Sequence, residues 1–331
     1  MKVLLLGGVD GNTGPSNVHK SLVDAWPESS RIETVNSKSK PLKILESLFK
    51  GLRCDVIVSP GSGWTEIIAH RVLATLGKPV VCFNHGYVPF ENDINHLGLS
   101  QGTVDAIKQH LATADAVVAN SAMQERFVLS RQPELAGRTS HATLGVERFD
   151  FPDVDSPRGN IIAVSGGTRP IKANEVVARA VEILRSRGVD CSLRVYGRRY
   201  SENESLDAAV ESGIAEYRGQ VSSEQFRSEL RECSVFVMDS RHESFGLSAI
   251  DALDAGCSLL MSRNCGVAEV MSLEPGDVVE DCEDASEVAD KIERLLVHPN
   301  PRRLYDSIDF DMTSWAVTAG KLNDVCKGLV R

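Results

Sequence analysis

Short runs of β-branched and aliphatic residues alternate with longer stretches of helical periodicity along the whole chain. The runs at 2–6, 31–35, 55–59, 79–84, 116–119 and 139–143 read as strands, and a second series follows at 160–165, 192–196, 234–238, 258–261 and 277–279. Strands that alternate with helices predict repeated βαβ units and parallel sheets. Several runs end in Gly or Ser, where backbone approaches a ligand at the carboxyl ends of the strands. Between the two series, residues 149–159 hold two prolines, one glycine and three aspartates, which fits neither period and predicts a linker. A fresh strand and glycine turn, Ala163-Val-Ser-Gly-Gly, opens the second series. The expected fold class is therefore α/β with two Rossmann-like domains, at 1–152 and 153–311. Residues 312–331 form a final helix on Trp315, Ala319, Leu322 and Leu329, expected to pack back on the first domain.

Composition narrows the functional classes. A chain of 331 residues has room for two domains, and its net charge of −10 disfavours a nucleic-acid partner, which normally calls for a basic excess. The eight cysteines form no C-x-x-C pair, and several lie inside strand-like runs, as small buried residues do in a reducing compartment. No apolar run approaches the ~18 residues of a membrane span, and the apolar start is too short for a signal peptide. A cytoplasmic protein is expected.

The richest stretch is Ser240-Arg-His-Glu-Ser-Phe-Gly-Leu-Ser-Ala-Ile-Asp-Ala-Leu-Asp-Ala-Gly-Cys257. It follows a strand, turns at Phe245-Gly246, and then runs as a helix from about 247 to 255, with Gly256 as the stop. Free amides at Gly246, Leu247 and Ser248, with the positive end of the helix dipole, make a seat for a phosphate. Glu243 and Asp251, one before the helix and one about a turn inside it, offer two carboxylates to the same ligand.

This stretch resembles the signature of the family 4 retaining glycosyltransferases, which adopt the GT-B architecture with an interdomain cleft. In that pattern a Ser and a Glu precede Phe-Gly-Leu and a second Glu follows the first; here Asp251 takes the second place and is one methylene shorter. Gly166-Gly-Thr-Arg169-Pro-Ile-Lys172 resembles the family's Gly-Arg-x-x-x-Lys segment, one residue short in register. Gly7-Gly8 and the loop through Gly11, Asn12, Thr13 and Gly14 follow the first strand as the family's glycine-rich loop does. The resemblance implies catalytic roles for His85, Arg169, Lys172 and Glu243. For the donor it implies Gly8, Gly14, Gly167, Tyr196, Gly197, Gln220, Ser244, Phe245, Gly246, Leu247 and Asp251. It further implies transfer of a hexose-type sugar from a nucleoside diphosphate, with UDP favoured, to a glycan or lipid-linked acceptor in surface-polysaccharide synthesis. Neither a metal nor a cofactor is called for, because Arg169, Lys172 and the helix start meet the phosphate charge.

Asn17, Tyr87, Glu91 and Asn92 are candidate acceptor contacts, the last three in a polar-aromatic loop at 85–95 where Tyr87 and Phe90 either stack on sugar or plug the domain's edge. Residues 37–53 carry five basic residues and one acid, with Leu42, Leu45, Leu48, Phe49 and Leu52 on one helical face. They read equally as an ordinary packed helix or as a peripheral contact with anionic lipid on the inner membrane face. Two alternatives stay open for the whole: a non-catalytic partner subunit that binds glycan or nucleotide, and a sugar-nucleotide epimerase. A carboxylate pair working as in glycoside hydrolases is disfavoured, since it needs no diphosphate cradle.

Overall fold

A computed structural model describes residues 1–9, 14–152, 158–200 and 202–330. It divides into two compact units, one of residues 1–147 with 310–331, the other of residues 148–309. Part of the expected linker, 153–157, lies outside the described residues.

The first unit runs β1 (Lys2–Leu5), α1 (Gly14–Asp24), β2 (Arg31–Thr34), α2 (Lys40–Arg53), β3 (Val56–Ser59), α3 (Trp64–Thr75), β4 (Val80–Asn84), α4 (Val88–Ile94), α5 (Gln101–Ala112), β5 (Ala116–Ala119), α6 (Ala122–Arg131) and β6 (Thr139–His141). Its sheet has the order β2-β1-β3-β4-β5-β6, and every pairing is parallel. Strands β3 and β4 are buried along their whole length, as expected where helices cover both faces of a sheet.

The second unit continues with β7 (Gly159–Ser165), α7 (Asn174–Ser186), β8 (Ser192–Tyr196), α8 (Glu204–Glu211), β9 (Ala215–Gly219), α9 (Ser223–Leu230), β10 (Cys233–Met238), α10 (Leu247–Asp254), β11 (Ser258–Ser262), β12 (Val278–Val279), α11 (Ala285–Val297) and α12 (Pro301–Asp306). Its parallel sheet has the order β12-β11-β10-β7-β8-β9. Counted from β7, that is the doubly wound order, and it reverses between β7 and β10. Its core is largely Val, Leu, Ile and Ala from β7, β8, β10, α7 and α11. The final helix, α13 (Trp315–Leu329), belongs to the first unit, where Thr318 Oγ1 donates to the Thr143 carbonyl at 2.7 Å.

Three sequence expectations need correction. Strand β9 was not foreseen; it is the edge of its sheet, and its alternation of apolar and charged residues hides it among turn signals. Residues 85–95 are not a loop, because Val88–Ile94 forms α4, started by a proline in its first turn. Leu48 does not share the outer face of α2: it packs inward against the cluster of Leu4, Cys54 and Leu73, while Leu45 is 62% exposed. Seven of the eight cysteines are buried. Among the described residues, no helix is long and apolar enough to cross a membrane.

Candidate functional site

The order reversal in the second unit sets the site. Strands β7 and β10 lie side by side there, and the segments leaving their carboxyl ends diverge to opposite faces, which opens a crevice for a ligand. From β7 comes Gly166-Gly167, both with positive φ, and from β10 comes the run that ends in α10. The two meet at Ser165 and Ser248, whose hydroxyls are 3.1 Å apart. Gly167 N–H donates to the Tyr196 carbonyl at 2.8 Å, and a side chain at 167 would strike the backbone of Arg198. The glycine turn is thus clamped to the turn after β8, and Asn174 Nδ2 holds it from beneath by donating to the Ser165 and Gly167 carbonyls at 3.0 and 2.8 Å.

Helix α10 starts at Leu247 behind Gly246, which has a φ of +110° and supplies no side-chain cap. A Cβ at 246 would lie 2.6 Å from the Met238 sulfur and 3.1 Å from Glu243 Cγ, so only glycine admits this entry. The first amides of a helix have no partner inside it, and with no cap they face whatever occupies the crevice. Glu243 is fixed beside them, its N–H donating to the Asn264 carbonyl at 2.9 Å and its carbonyl accepting from Gly266 at 3.0 Å. Lys172 reaches over Gly166 and pairs with the Glu243 carboxylate. The structure therefore brings together Lys172, Glu243, Gly167, Gly246, Leu247 and Ser248.

Other sequence candidates lie differently. Arg169 stacks on Tyr200, its guanidinium 4.3 Å from the ring centroid and Nη2 donating to the phenol oxygen at 2.6 Å. Asp251 pairs with Arg227 at 3.2 Å, and burial, partly opposed by that arginine, raises its carboxyl above the usual range. Tyr196 turns its ring into the core against Phe226, so it can offer a ligand its backbone alone, and buried Phe245 is likewise limited to its main chain. Gln220 is exposed and accepts from Arg198 Nε, beside Gly197. Ser244 lies between Glu243 and Phe245, partly exposed.

In the first unit, His85 follows β4 and faces His19 of α1, their Nε2 atoms 3.1 Å apart. His19 Nδ1 is 2.8 Å from the Gly8 carbonyl, which can only accept, so that nitrogen carries the proton. A neutral His19 then accepts at Nε2 from His85 Nε2–H, which fixes the tautomer of His85. Burial lowers the pKa of both rings, that of His85 to about 3 with help from the neighbouring His19. Sequence reasoning missed His19, since no motif marks it; only the fold carries it to His85.

Tyr87 needs correction as an acceptor contact: it is 3% exposed, sits in the core with Leu111 and Val128, and donates to Gln132 Oε1 at 3.3 Å. Phe90 packs on Phe127, so these aromatics plug the unit's edge. Glu91 lies against Gly86, Asn92 Oδ1 accepts from Leu99 N–H at 2.9 Å, and Asn17 is exposed on α1 beyond Gly14. The loop residues Gly11, Asn12 and Thr13 lie outside the described residues.

Two buried groups escaped the sequence reading. His70, Cys82 and His110 place one ligand atom each within 4.8 Å of one another, and the Nδ1 atoms of the two histidines, 2.8 Å apart, hydrogen-bond to each other. Asp239, at the end of β10, is wholly buried with neither carboxylate oxygen hydrogen-bonded, and burial pushes its pKa up to about 9.

A glycine turn, an uncapped helix start, a lysine and a carboxylate thus meet at the switch point of a doubly wound domain, an arrangement whose amides and cation can meet phosphate charge. Residues 158–298 match the family described as Glycosyl transferases group 1. Over 182 residues the chain is 29% identical to the D-inositol 3-phosphate glycosyltransferase of Streptomyces avermitilis, covering 48% of this chain and 39% of that one. Over 111 residues it is 30% identical to the GDP-mannose:cellobiosyl-diphosphopolyprenol alpha-mannosyltransferase of Xanthomonas oryzae pv. oryzae, covering 32% of this chain and 29% of that one. The chain spans about two-fifths of the length of the first of these curated relatives, and less of the second. Anabaena Alr3699/HepE, solved with UDP and glucose, aligns over 99% of this chain and 100% of its own at a TM-score of 0.74 and 12% identity. The sucrose-phosphate synthase of Thermosynechococcus elongatus aligns over 99% of both chains at 0.74 and 15%. These structures share the fold. The whole chain shares their GT-B fold, and its second unit carries the match to the group 1 domain.

Proposed function

We propose that this protein transfers a sugar from a nucleoside diphosphate to an acceptor hydroxyl with retention of anomeric configuration, the second unit taking the donor and the first the acceptor. The observation that carries the reading is the meeting of Lys172 and Glu243 at the uncapped start of α10. A diphosphate seated on the Leu247 and Ser248 amides gains from the helix dipole, and Lys172 neutralises the charge that grows on the leaving group. Glu243, freed from Lys172 once phosphate competes for that cation, accepts hydrogen bonds from the sugar hydroxyls. Arg169, stacked on Tyr200, is a second cation for the phosphates. A hexose donor, with UDP favoured, and a glycan or lipid-linked acceptor in surface-polysaccharide synthesis complete the reading, with no metal called for.

The pairing of Asp251 with Arg227 favours one rival, a nucleotide-binding partner subunit without turnover, because the shorter acid is already engaged where a ribose contact is expected. Acceptor-dependent release of nucleoside diphosphate, lost in Glu243→Ala and Lys172→Ala, supports the transferase. Binding of nucleoside diphosphate without release in the presence of a panel of acceptors would leave the partner-subunit reading instead.

A further inference from the structure

Helices α2 and α3 lie side by side on the outside of the first unit. Gly51 of α2 sits against the Leu73 side chain of α3, and Lys43 pairs with Glu66 across them at 2.6 Å. Each presents a row of exposed apolar side chains at helical spacing, Leu42, Leu45, Phe49 and Leu52 on α2, then Trp64, Ile68, Val72 and Leu76 along α3 and its C-terminal cap. Eight of the fourteen large apolar residues exposed among the described residues are in these two rows, so the patch is a concentration and not ordinary surface scatter. Phe49 is 57% exposed and Trp64 54%.

The charge around the rows runs against the rest of the molecule. Residues 38–78 hold seven basic and three acidic residues in a chain of net charge −10. Two of those acids are satisfied locally: Glu46 accepts from the Asn36 and Ser37 amides and from Lys50, and Glu66 accepts from Lys43. The third, Asp55, accepts from the Lys2 amide at 2.7 Å. Arg71 donates to Gln109 and Lys78 to the Cys54 carbonyl, while Lys38, Lys40 and Arg53 are exposed on and just before α2, with Arg53 over the Phe49 ring at 3.8 Å. A second copy of the chain docking on the same patch would set these cations against themselves. An anionic bilayer matches both features, apolar side chains entering at headgroup depth and cations meeting lipid phosphate.

We propose that the paired α2–α3 face of the first unit docks on a membrane surface that carries anionic lipid, with Phe49 and Trp64 as its apolar anchors. It rests on the transferase reading only for its purpose, to bring a lipid-linked acceptor within reach; lipid binding itself is measured without donor or turnover. The full chain is sedimented with phosphatidylcholine vesicles, with and without phosphatidylglycerol. Binding is expected at low salt to the anionic vesicles alone, and it falls about tenfold or more in Lys40→Glu/Arg53→Glu. Phe49→Ser/Trp64→Ser, both on the exposed face, should keep the melting temperature and lose binding. Failure of the wild-type chain to sediment with anionic vesicles overturns the proposal. So does unchanged binding in both double variants, or a solution dimer that Phe49→Ser/Trp64→Ser dissociates in the absence of any lipid binding.

Discussion

The Nε2 atoms of His19 and His85, sixty-six residues apart in sequence, lie 3.1 Å from each other, and the Gly8 carbonyl settles which ring donates. The contact joins α1, tied to the turn after β1 through the Gly8 carbonyl, to the end of β4. It leaves His85 neutral with its Nε2 proton committed, so its Nδ1 edge is the one with a lone pair.

Loss of that tautomer in His19→Ala should lower kcat on the order of 10- to 100-fold with a smaller change in donor KM, since a misplaced group costs turnover more than binding. His19→Gln, whose side-chain oxygen accepts the same proton, should keep more activity. Steady-state kinetics on the two variants checks this; equal loss in both, or loss in KM alone, counts against it.

Buried histidines also set an acid limit on stability. His85 and His110 are both held down to about 3 by burial, from an unfolded value near 6.5. A lowered histidine stabilises the fold fully above the unfolded pKa. Below about pH 6.5 the unfolded chain takes up protons that the native chain refuses, and stability falls until the folded pKa is reached. Urea midpoints should drop from pH 7 toward pH 4, by up to roughly tenfold in the folding constant per pH unit for each histidine. His110→Asn should flatten that slope.

Asp239 acts in the opposite direction. Its pKa is raised to about 9 by burial, so ionisation is resisted by the native state and not by the unfolded chain. Stability is then lost progressively as pH rises from near 4 toward 9. Asp239→Asn removes the ionisation and should raise the urea midpoint more at pH 8 than at pH 5; a variant less stable than wild type at pH 8 contradicts this.

Gly246→Ala puts a side chain on a backbone with a φ of +110° and against Met238. The expected loss is about 1–3 kcal/mol of stability. Donor affinity falls with it, because the same residue orients the first amides of α10. Thermal melting with and without nucleoside diphosphate reads both effects.

Much of this was visible in the chain alone, for identifiable reasons. Eleven of the twelve strands among the described residues were legible, because parallel strands under helices are short apolar runs; β9, charged on alternate residues at a sheet edge, was not. The meeting of Lys172 and Glu243 was foreshadowed by motifs at the ends of β7 and β10. His19, Asn174 and Asp239 carried no local signal: each acts or strains only once strands distant in sequence lie side by side. Tyr87 misled because an aromatic next to a site-like histidine looks the same in sequence whether it faces solvent or core.

Calorimetry that compares UDP and GDP with their nucleosides tests directly whether a diphosphate sits at the start of α10 beside Lys172. At least one diphosphate should bind at least about tenfold more tightly than its nucleoside, and Lys172→Ala should erase most of that difference while leaving the nucleoside's affinity unchanged. Diphosphates that bind no better than nucleosides, or a Lys172→Ala variant that keeps the full preference, would contradict it.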